Sequence, residues 1–159
     1  MEGLEIIIIS SLAGELPEES GLVDRRPFFL EKPHSSASMA AMGVRGGGEN
    51  AKPGEVTLAH RGVLFMDELP EFSRNVLESL RQPIESKNIT IARVNNHATY
   101  PANFQLIAAM NSCKYGFFGS VSSSCTKMPR CAEEYQNRIS GPLFDRFDLQ
   151  IEVPKVNLT

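Results

Sequence analysis

Two mainly apolar runs stand out in the pattern of hydrophobic and polar positions along the chain. The first covers residues 62–66 and ends in Asp67-Glu68, and the second covers residues 104–110, with Gln105 as its one polar member, and ends in Asn111. Apolar runs of this length are typical of strands that are buried in a parallel sheet. We therefore predict two neighbouring core strands, each followed by polar side chains.

The pattern after the first run is helical. Ser73 precedes apolar residues at helical spacing, which predicts a capped helix over residues 74–82 that stops near Pro83. Residues 133–139 are predicted to form a further helix. Residues 149–153 alternate between apolar and polar side chains, and this alternation predicts a final strand.

The remaining segments are less regular. Residues 89–100 alternate around an Asn-Asn pair at 95–96, which tolerates positive φ and indicates a β-hairpin. Residues 4–13 form a short β-branched run that fits a buried strand and a buried helix equally well. Residues 14–54 are rich in Pro, Ser and Gly and are interpreted as mostly loop, with one short helix near 38–42.

Composition and charge narrow the class of protein. The chain has 159 residues, 42% of them hydrophobic, which suits one globular domain and excludes wholesale disorder. The net charge of −3 is not the basic signature that announces nucleic-acid binding. No secretory signal or apolar run of membrane-spanning length is present, and three cysteines are an odd number, so we expect a soluble, cytoplasmic protein without a disulfide framework.

The pair Asp67-Glu68 is the strongest candidate for chemistry. In P-loop NTPases an acid at the end of a core strand holds Mg²⁺ on the nucleotide phosphates, and a neighbouring Glu can polarise the attacking water. Asn111, at the end of the neighbouring strand, could hydrogen-bond the same water or the γ-phosphate. Each signal has a simpler explanation when it is taken alone. Acidic residues often follow a strand where it meets solvent, and an asparagine often belongs to a turn. The functional interpretation of both is strengthened because the two strands are expected to end at the same edge of the sheet, and α/β sheets bind ligands at the carboxyl ends of their strands.

Arg146 is a candidate of a different kind. It stands among apolar and acidic residues in the segment 141–148. A planar, permanently charged guanidinium can stabilise the charge of a phosphoryl transfer, often from a neighbouring subunit. The alternative, favoured by spacing alone, is an ion pair with Asp145 or Asp148.

Several longer segments resemble a known family, the magnesium chelatase-like AAA+ ATPases, and in particular their ComM-type competence branch. The resemblance covers most of the chain. The matching segments are Arg26-Pro-Phe, Pro33-His-Ser-Ser, Gly46-Gly-Gly, Lys52-Pro-Gly-Glu, residues 62–72, Leu80-Arg-Gln-Pro, Ala108-Ala-Met-Asn and residues 138–148.

The resemblance implies roles for individual residues. Asp67 and Glu68 correspond to the Walker B acids, with Asp67 binding Mg²⁺ through the nucleotide, and Asn111 corresponds to sensor 1. Arg146 corresponds to the arginine finger, which makes Glu68, Asn111 and Arg146 the implied catalytic set. Arg138 is a second candidate for the arginine finger, and the resemblance counts it with Asp67, Glu68 and Asn111 among the residues that bind the nucleotide. The implied cofactors are ATP and Mg²⁺.

The resemblance also implies a fold and partners. The fold would be an α/β, AAA+ P-loop NTPase-type parallel sheet with a β-hairpin insert. Residues 4–13 would be the helix after the P-loop. The intact protein would form a hexameric ring of identical subunits that remodels DNA, with the hairpin directed towards the pore. Arg93 and His97 could then contact nucleic acid, although polar side chains at an exposed hairpin tip more often have no such role. Two alternatives stay open, namely a magnesium chelatase-type metal-insertion motor and a non-catalytic binding module.

The chain departs from the family in two places. It contains no Gly-x-x-x-x-Gly-Lys-Ser/Thr motif, and the triplet 46–48 is no substitute. We therefore expect a partial ATPase core, from Walker B to the arginine-finger region, with the P-loop strand and helical lid absent. Alone, this core would neither bind Mg-ATP tightly nor hydrolyse it.

The second departure concerns the cysteines. Relatives commonly carry two Cys-x-Cys pairs, whereas the matching positions here are Cys113, Tyr115, Cys125 and Lys127. Even with Cys131 the four ligands of a structural zinc site are incomplete, so bound zinc is not expected.

Overall fold

A computed structural model describes residues 2–16, 25–33, 44–45, 52–92, 97–113 and 130–153. The predicted short helix near 38–42, the Gly46 to Gly48 triplet and the hairpin tip at 93–96 lie outside these residues, as does Cys125. Among the described residues no helix has the length and apolar character that crossing a bilayer requires.

The described residues fold as an α/β structure. Its helices, in chain order, are α1 (Glu2–Ala13), α2 (Glu55–Leu58), α3 (Arg74–Ser79), α4 (Arg81–Ser86), α5 (Arg130–Gln136) and α6 (Gly141–Phe144). Its strands are β1 (Phe28–Glu31), β2 (Val44–Arg45), β3 (Lys52–Pro53), β4 (Val63–Met66), β5 (Asn88–Ala92), β6 (His97–Pro101) and β7 (Gln105–Ala108).

A parallel sheet of three strands, in the order β1-β4-β7, organises the fold. Met66 lies opposite Glu31 on one side and opposite Ala108 on the other, so the three strands end level with one another. The two strands predicted from the apolar runs are both present, with β4 in the centre; β7 lies at the edge of the described sheet, and none of its residues is buried. The residues that follow the strands therefore leave the sheet at one edge.

The core lies on one face of this sheet. Leu64 and Met66 alternate with half-buried neighbours along β4 and are fully buried. On the other face Phe28 and Leu30 remain more than half exposed, at 63% and 52%. The buried residues that pack with β4 come from the surrounding helices, the hairpin and the segment before β7, and they include Val56, Leu69, Val76, Leu77, Leu80, Ile89, Phe104 and Leu143.

Helix α1 resolves the ambiguity of residues 4–13 in favour of a helix. Its first turn lies at the amino ends of the strands, because Glu2 contacts Arg26, just before β1, and Glu5 contacts Arg61, just before β4. A helix that a P-loop opens begins instead at the carboxyl ends, where its amide groups meet the phosphates. The expectation that α1 follows a P-loop directly is therefore wrong.

The helix predicted over 74–82 begins as expected but does not stop at Pro83. The Ser73 side chain accepts a hydrogen bond from the Val76 amide at 3.4 Å, which confirms the cap. After α3 the chain turns at Leu80 and continues as α4, in which Pro83 occupies the first turn. Proline is tolerated there because a first-turn amide needs no partner within the helix.

The prediction of a final strand is wrong, because residues 149–153 form no strand and their apolar members Leu149, Ile151 and Val153 are each 82% exposed. The segment 14–54, interpreted as mostly loop, lies largely outside the described residues, but its described part contains the short strands β1, β2 and β3. Of these, β1 pairs with β4 over its whole length. Alternating apolar and polar residues do not form a strand unless a neighbouring strand supplies hydrogen bonds, which is why the prediction over 149–153 failed. Strand β1 was missed because four residues are too few to show a clear alternation.

The predicted hairpin is confirmed. Strands β5 and β6 pair antiparallel, with Ile89 opposite Tyr100, and the Thr90 and Thr99 hydroxyls lie 3.2 Å apart. The helix predicted over 133–139 is also present, but α5 begins and ends three residues earlier.

Candidate functional site

The carboxyl edge of the parallel sheet holds the segment after β4 firmly. The Asp67 amide donates to the Glu31 carbonyl at 3.1 Å, and the Ala109 amide donates to the Met66 carbonyl at 2.9 Å. The Leu69 amide then donates to the Ala109 carbonyl at 3.0 Å. Hydrogen bonds to both neighbouring strands therefore fix the backbone that carries Asp67 and Glu68.

Glu68 has an unusual backbone conformation. Its φ of 53° and ψ of 47° lie in the left-handed region, which non-glycine residues seldom adopt. The Glu68 amide donates to Oδ1 of Asp67 at 3.0 Å, so the aspartate carboxylate stabilises this turn. Both side chains are half-buried. Residues held in such conformations concentrate at functional sites, which makes this turn a candidate site.

Asn111 lies at the same edge. It follows β7 by three residues and is exposed, and β7 ends level with β4. Immediately after it, the Ser112 carbonyl accepts a hydrogen bond from Nε2 of Gln136 at 3.2 Å, which attaches the segment to α5. The structure thus brings the segments of Asp67, Glu68 and Asn111 to one edge of the sheet, as the sequence predicts.

Arg138 lies beside the turn that follows Glu68. Its guanidinium donates to the Glu71 carboxylate at 3.1 Å and to the Pro70 carbonyl at 3.2 Å. Glu71 is tied to the candidate site in turn, because its amide donates to the Glu68 carbonyl at 2.8 Å. Arg138 and Arg74 also line an open cleft of about 470 Å³ at this position.

Tyr135 is a residue of this region that sequence reasoning missed. Its ring is buried on α5, and burial raises the pKa of the phenol. The nearby carboxylates of Glu71 and Glu68 raise it further, so the phenol keeps its proton at neutral pH. In the sequence, a single tyrosine at helical spacing cannot be told apart from an ordinary core residue. Only the fold shows that the carboxylates of Glu71 and Glu68 lie near it.

Arg146 lies in the turn after α6 and has partners that the sequence did not suggest. Its guanidinium donates to the carboxylate of Glu85, on α4, and to the carbonyl of Pro142. Neither Asp145 nor Asp148, the partners considered from spacing, forms this ion pair. The partner stands 61 positions away in sequence, so no local pattern could have identified Glu85.

A second polar cluster lies at the opposite edge of the sheet. The buried His60 accepts a hydrogen bond from the Asn103 amide at Nδ1 (3.1 Å), which leaves its proton on Nε2, 3.2 Å from the Glu5 carboxylate. Arg61 also donates to Glu5, at 2.9 Å. The Arg61 and His60 hydrogen bonds lower the pKa of Glu5. This cluster joins α1 to the amino ends of the strands, far from the candidate site.

The cysteines form no described metal site. Cys113 and Cys131 are buried together with Ala132, whereas Tyr115, Cys125 and Lys127 fall outside the described residues. Within the residues that the structure describes, no group of three or more His, Cys, Asp or Glu side chains is arranged to hold a metal ion.

Comparisons with known proteins agree with the resemblance seen in the sequence. The family profile described as magnesium chelatase, subunit ChlI, matches residues 1–159. The uncharacterized protein YifB of Salmonella typhimurium is 52% identical over 130 residues, which are 82% of this chain and 24% of that protein. The competence protein ComM of Haemophilus influenzae is 47% identical over 156 residues, 97% of this chain and 30% of that protein. The chain therefore spans between 24% and 30% of the length of these relatives.

Proposed function

This chain belongs to the magnesium chelatase subunit ChlI family, and on that premise we propose that it is the part of an AAA+ ATPase that carries the metal-binding and water-activating carboxylates. The observation that carries the proposal is the register of β4 and β7. Because Met66 lies opposite Ala108, Asp67-Glu68 and Asn111 follow strands that end at one edge. Sheets of this kind bind their ligands at that edge.

Asp67 is the proposed magnesium ligand. Mg²⁺ prefers hard oxygen donors, and in nucleotide sites it is held by one or two carboxylates together with phosphates and water. A half-buried carboxylate whose Oδ1 is oriented by the Glu68 amide suits this role. When bound, the ion neutralises charge on the phosphates of the nucleotide.

Glu68 and Asn111 are the proposed partners of the attacking water and the γ-phosphate. A carboxylate can accept a proton from water, and Glu68 stands next to the metal ligand on a backbone that hydrogen bonds hold in place. Asn111 offers an amide that can donate to a phosphate oxygen. Its exposure leaves that amide accessible to a nucleotide at the strand ends.

The two arginines have different proposed roles. Arg146 would act on the nucleotide of a neighbouring subunit in a ring, where a guanidinium stabilises the charge that develops during phosphoryl transfer. Arg138 would contact a nucleotide of its own subunit, since it lies beside the turn that follows Glu68. ATP hydrolysis in a hexameric ring would drive DNA remodelling, with the β5–β6 hairpin, Arg93 and His97 facing the nucleic acid.

A metal-insertion motor is the second candidate. It is favoured by the description of the matching profile, which names a magnesium chelatase subunit and covers every residue of the chain. The two candidates share the ATPase site and differ in what stimulates it. Stimulation of ATP turnover by DNA supports remodelling, and stimulation by a tetrapyrrole supports metal insertion.

The test uses the longest natural reading frame that contains these residues, because the chain has no Gly-Lys-Ser/Thr phosphate cradle of its own. Glu68→Gln should retain Mg-ATP binding and lower kcat by about 10²- to 10⁴-fold, the usual contribution of a general base. Asp67→Asn should weaken binding of Mg-ATP itself. Glu133→Gln, an exposed carboxylate on α5, is the matched control and should leave both unchanged. Wild-type turnover in Glu68→Gln would refute the proposal.

A further inference from the structure

The ion pair between Arg146 and Glu85 suggests how the trans-acting arginine is controlled. We propose that Glu85 is a positioning residue that holds Arg146 within its own subunit, so that the nucleotide of the neighbouring subunit has to compete with Glu85 for the guanidinium. The inference rests on the proposed role of Arg146.

The backbone of Arg146 is fixed by the core, and its side chain reaches Glu85 at the surface. The Arg146 amide donates to the Leu143 carbonyl at 3.1 Å, and Leu143 is fully buried in the core. The guanidinium reaches Glu85, and the side chain of Arg146 is 22% exposed while that of Glu85 is 59% exposed. Because one partner of this ion pair lies largely in water, its attraction is screened, and the arginine side chain can leave Glu85 without disturbing the turn that carries it.

The contacts within the subunit do not satisfy the whole guanidinium. One terminal nitrogen donates to Glu85 and the other to the Pro142 carbonyl, while Nε is buried without a hydrogen-bond partner. A guanidinium offers five donors in a rigid fork, and it binds phosphate through pairs of charge-assisted hydrogen bonds. A phosphate group is therefore a competent rival for the single carboxylate oxygen that Arg146 contacts here.

The competition has a measurable consequence. If Arg146 is held by Glu85 for most of the time, only the remaining fraction of subunits can engage a neighbour, and the apparent affinity between subunits falls by that fraction. A partly exposed ion pair corresponds to a shift of about fivefold. Loss of the pair should therefore favour assembly of active sites without changing the chemistry at saturation.

The experiment measures ATP turnover per subunit as a function of subunit concentration, at saturating Mg-ATP, in the full-length protein. Glu85→Gln should reach half-maximal turnover at a concentration about fivefold lower than wild type, with the same plateau. Glu85→Lys, which repels Arg146, should shift it at least as far. Glu134→Gln is the control, since it removes a different and more exposed ion pair, the one with Arg130, and should follow the wild-type curve.

A companion variant separates the two proposals. Arg146→Ala should lose most of the plateau turnover if the arginine acts in trans. If it does so while both Glu85 variants follow the wild-type curve, or need higher concentrations, the role of Glu85 is refuted and that of Arg146 stands. A lower plateau in Glu85→Gln likewise refutes the competition. A wild-type plateau in Arg146→Ala refutes the role of the arginine itself.

Discussion

Arg138 and Glu71 join two parts of the chain that the sequence separates by 67 positions, with 3.1 Å between the guanidinium and the carboxylate. The contact ties the turn after α5 to the turn after β4. Since the Glu71 amide also binds the Glu68 carbonyl, Arg138 supports the backbone of the proposed Walker B turn. The same arginine remains 45% exposed, which leaves part of it accessible to a ligand.

Replacement of Arg138 distinguishes its support of the turn after β4 from a direct contact with nucleotide. Arg138→Met should lower the free energy of unfolding by about 1 kcal/mol or less, because the ion pair is partly exposed. If Arg138 also contacts nucleotide, the KM for Mg-ATP should rise in the full-length protein. Arg130→Met, which breaks the exposed pair with Glu134, is the control and should not change KM. An unchanged KM in Arg138→Met would exclude the nucleotide contact.

Asn111 should matter for turnover and not for folding. Asn111→Ala should change the free energy of unfolding by no more than about 0.5 kcal/mol, because the side chain is exposed. It should lower kcat of the full-length protein by about 10²-fold, as expected when one donor to a developing charge is lost. Ser112→Ala, the exposed neighbour, is the control for local disturbance. Equal kcat values in the two variants would argue against the sensor role.

Gly62 is required by close packing against a neighbouring backbone. A Cβ at this position would lie 2.0 Å from the Pro27 carbonyl oxygen, and that oxygen accepts the hydrogen bond of the Val63 amide. Gly62→Ala should therefore cost about 3 kcal/mol or more, since relief of the clash breaks the start of the β1–β4 ladder. Gly141→Ala meets nothing within 4 Å and should be neutral or slightly stabilising. Denaturant titration of both variants checks the contrast.

The Glu5 carboxylate should make stability depend on pH in the acid range. Its hydrogen bonds with Arg61 and His60 lower its pKa from the ordinary value of 4.5. The folded state therefore binds the proton less tightly than the unfolded state, so the stabilisation is present above about 4.5 and is lost as the pH falls through the lower folded value.

Glu5→Gln tests this dependence. The variant should be less stable than wild type at neutral pH, and the difference in stability should shrink as the pH falls below about 4.5, because the wild-type carboxylate then becomes protonated. Urea denaturation across this range measures it, with Glu133→Gln as the exposed control. A stability difference that stays constant down to the lowest pH would show that the carboxylate charge is not the cause.

Leu143 and Leu149 lie six positions apart in sequence and differ completely in burial, at 0% and 82% exposure. Leu143→Ala should cost about 2–5 kcal/mol, because it leaves a cavity between α6 and the core around β4. Leu149→Ala should change stability by no more than about 0.5 kcal/mol. A large effect at Leu149 in the full-length protein would mean that another part of that protein covers this side chain.

Local sequence determined the elements whose stability comes from near neighbours. The apolar run of β4 places Leu64 and Met66 in the core, the Ser73 hydroxyl caps its own helix, and the β5–β6 hairpin closes over a short connection. The order of polar residues after the two strands was sufficient to place Asp67 and Asn111 at one edge, because parallel strands end on the same side.

Only the tertiary structure decided what depends on distant partners. Strand β1 exists because its residues pair with β4, whereas 149–153 has the alternation of a strand and no described partner. The direction of α1 depends on the contact between Glu5 and Arg61, which are 56 positions apart in sequence. The ion pair between Arg146 and Glu85 joins residues that are 61 positions apart. Periodicity and propensity describe only a residue and its neighbours in the chain. They therefore cannot predict contacts between side chains that are far apart in sequence and meet only in the folded protein.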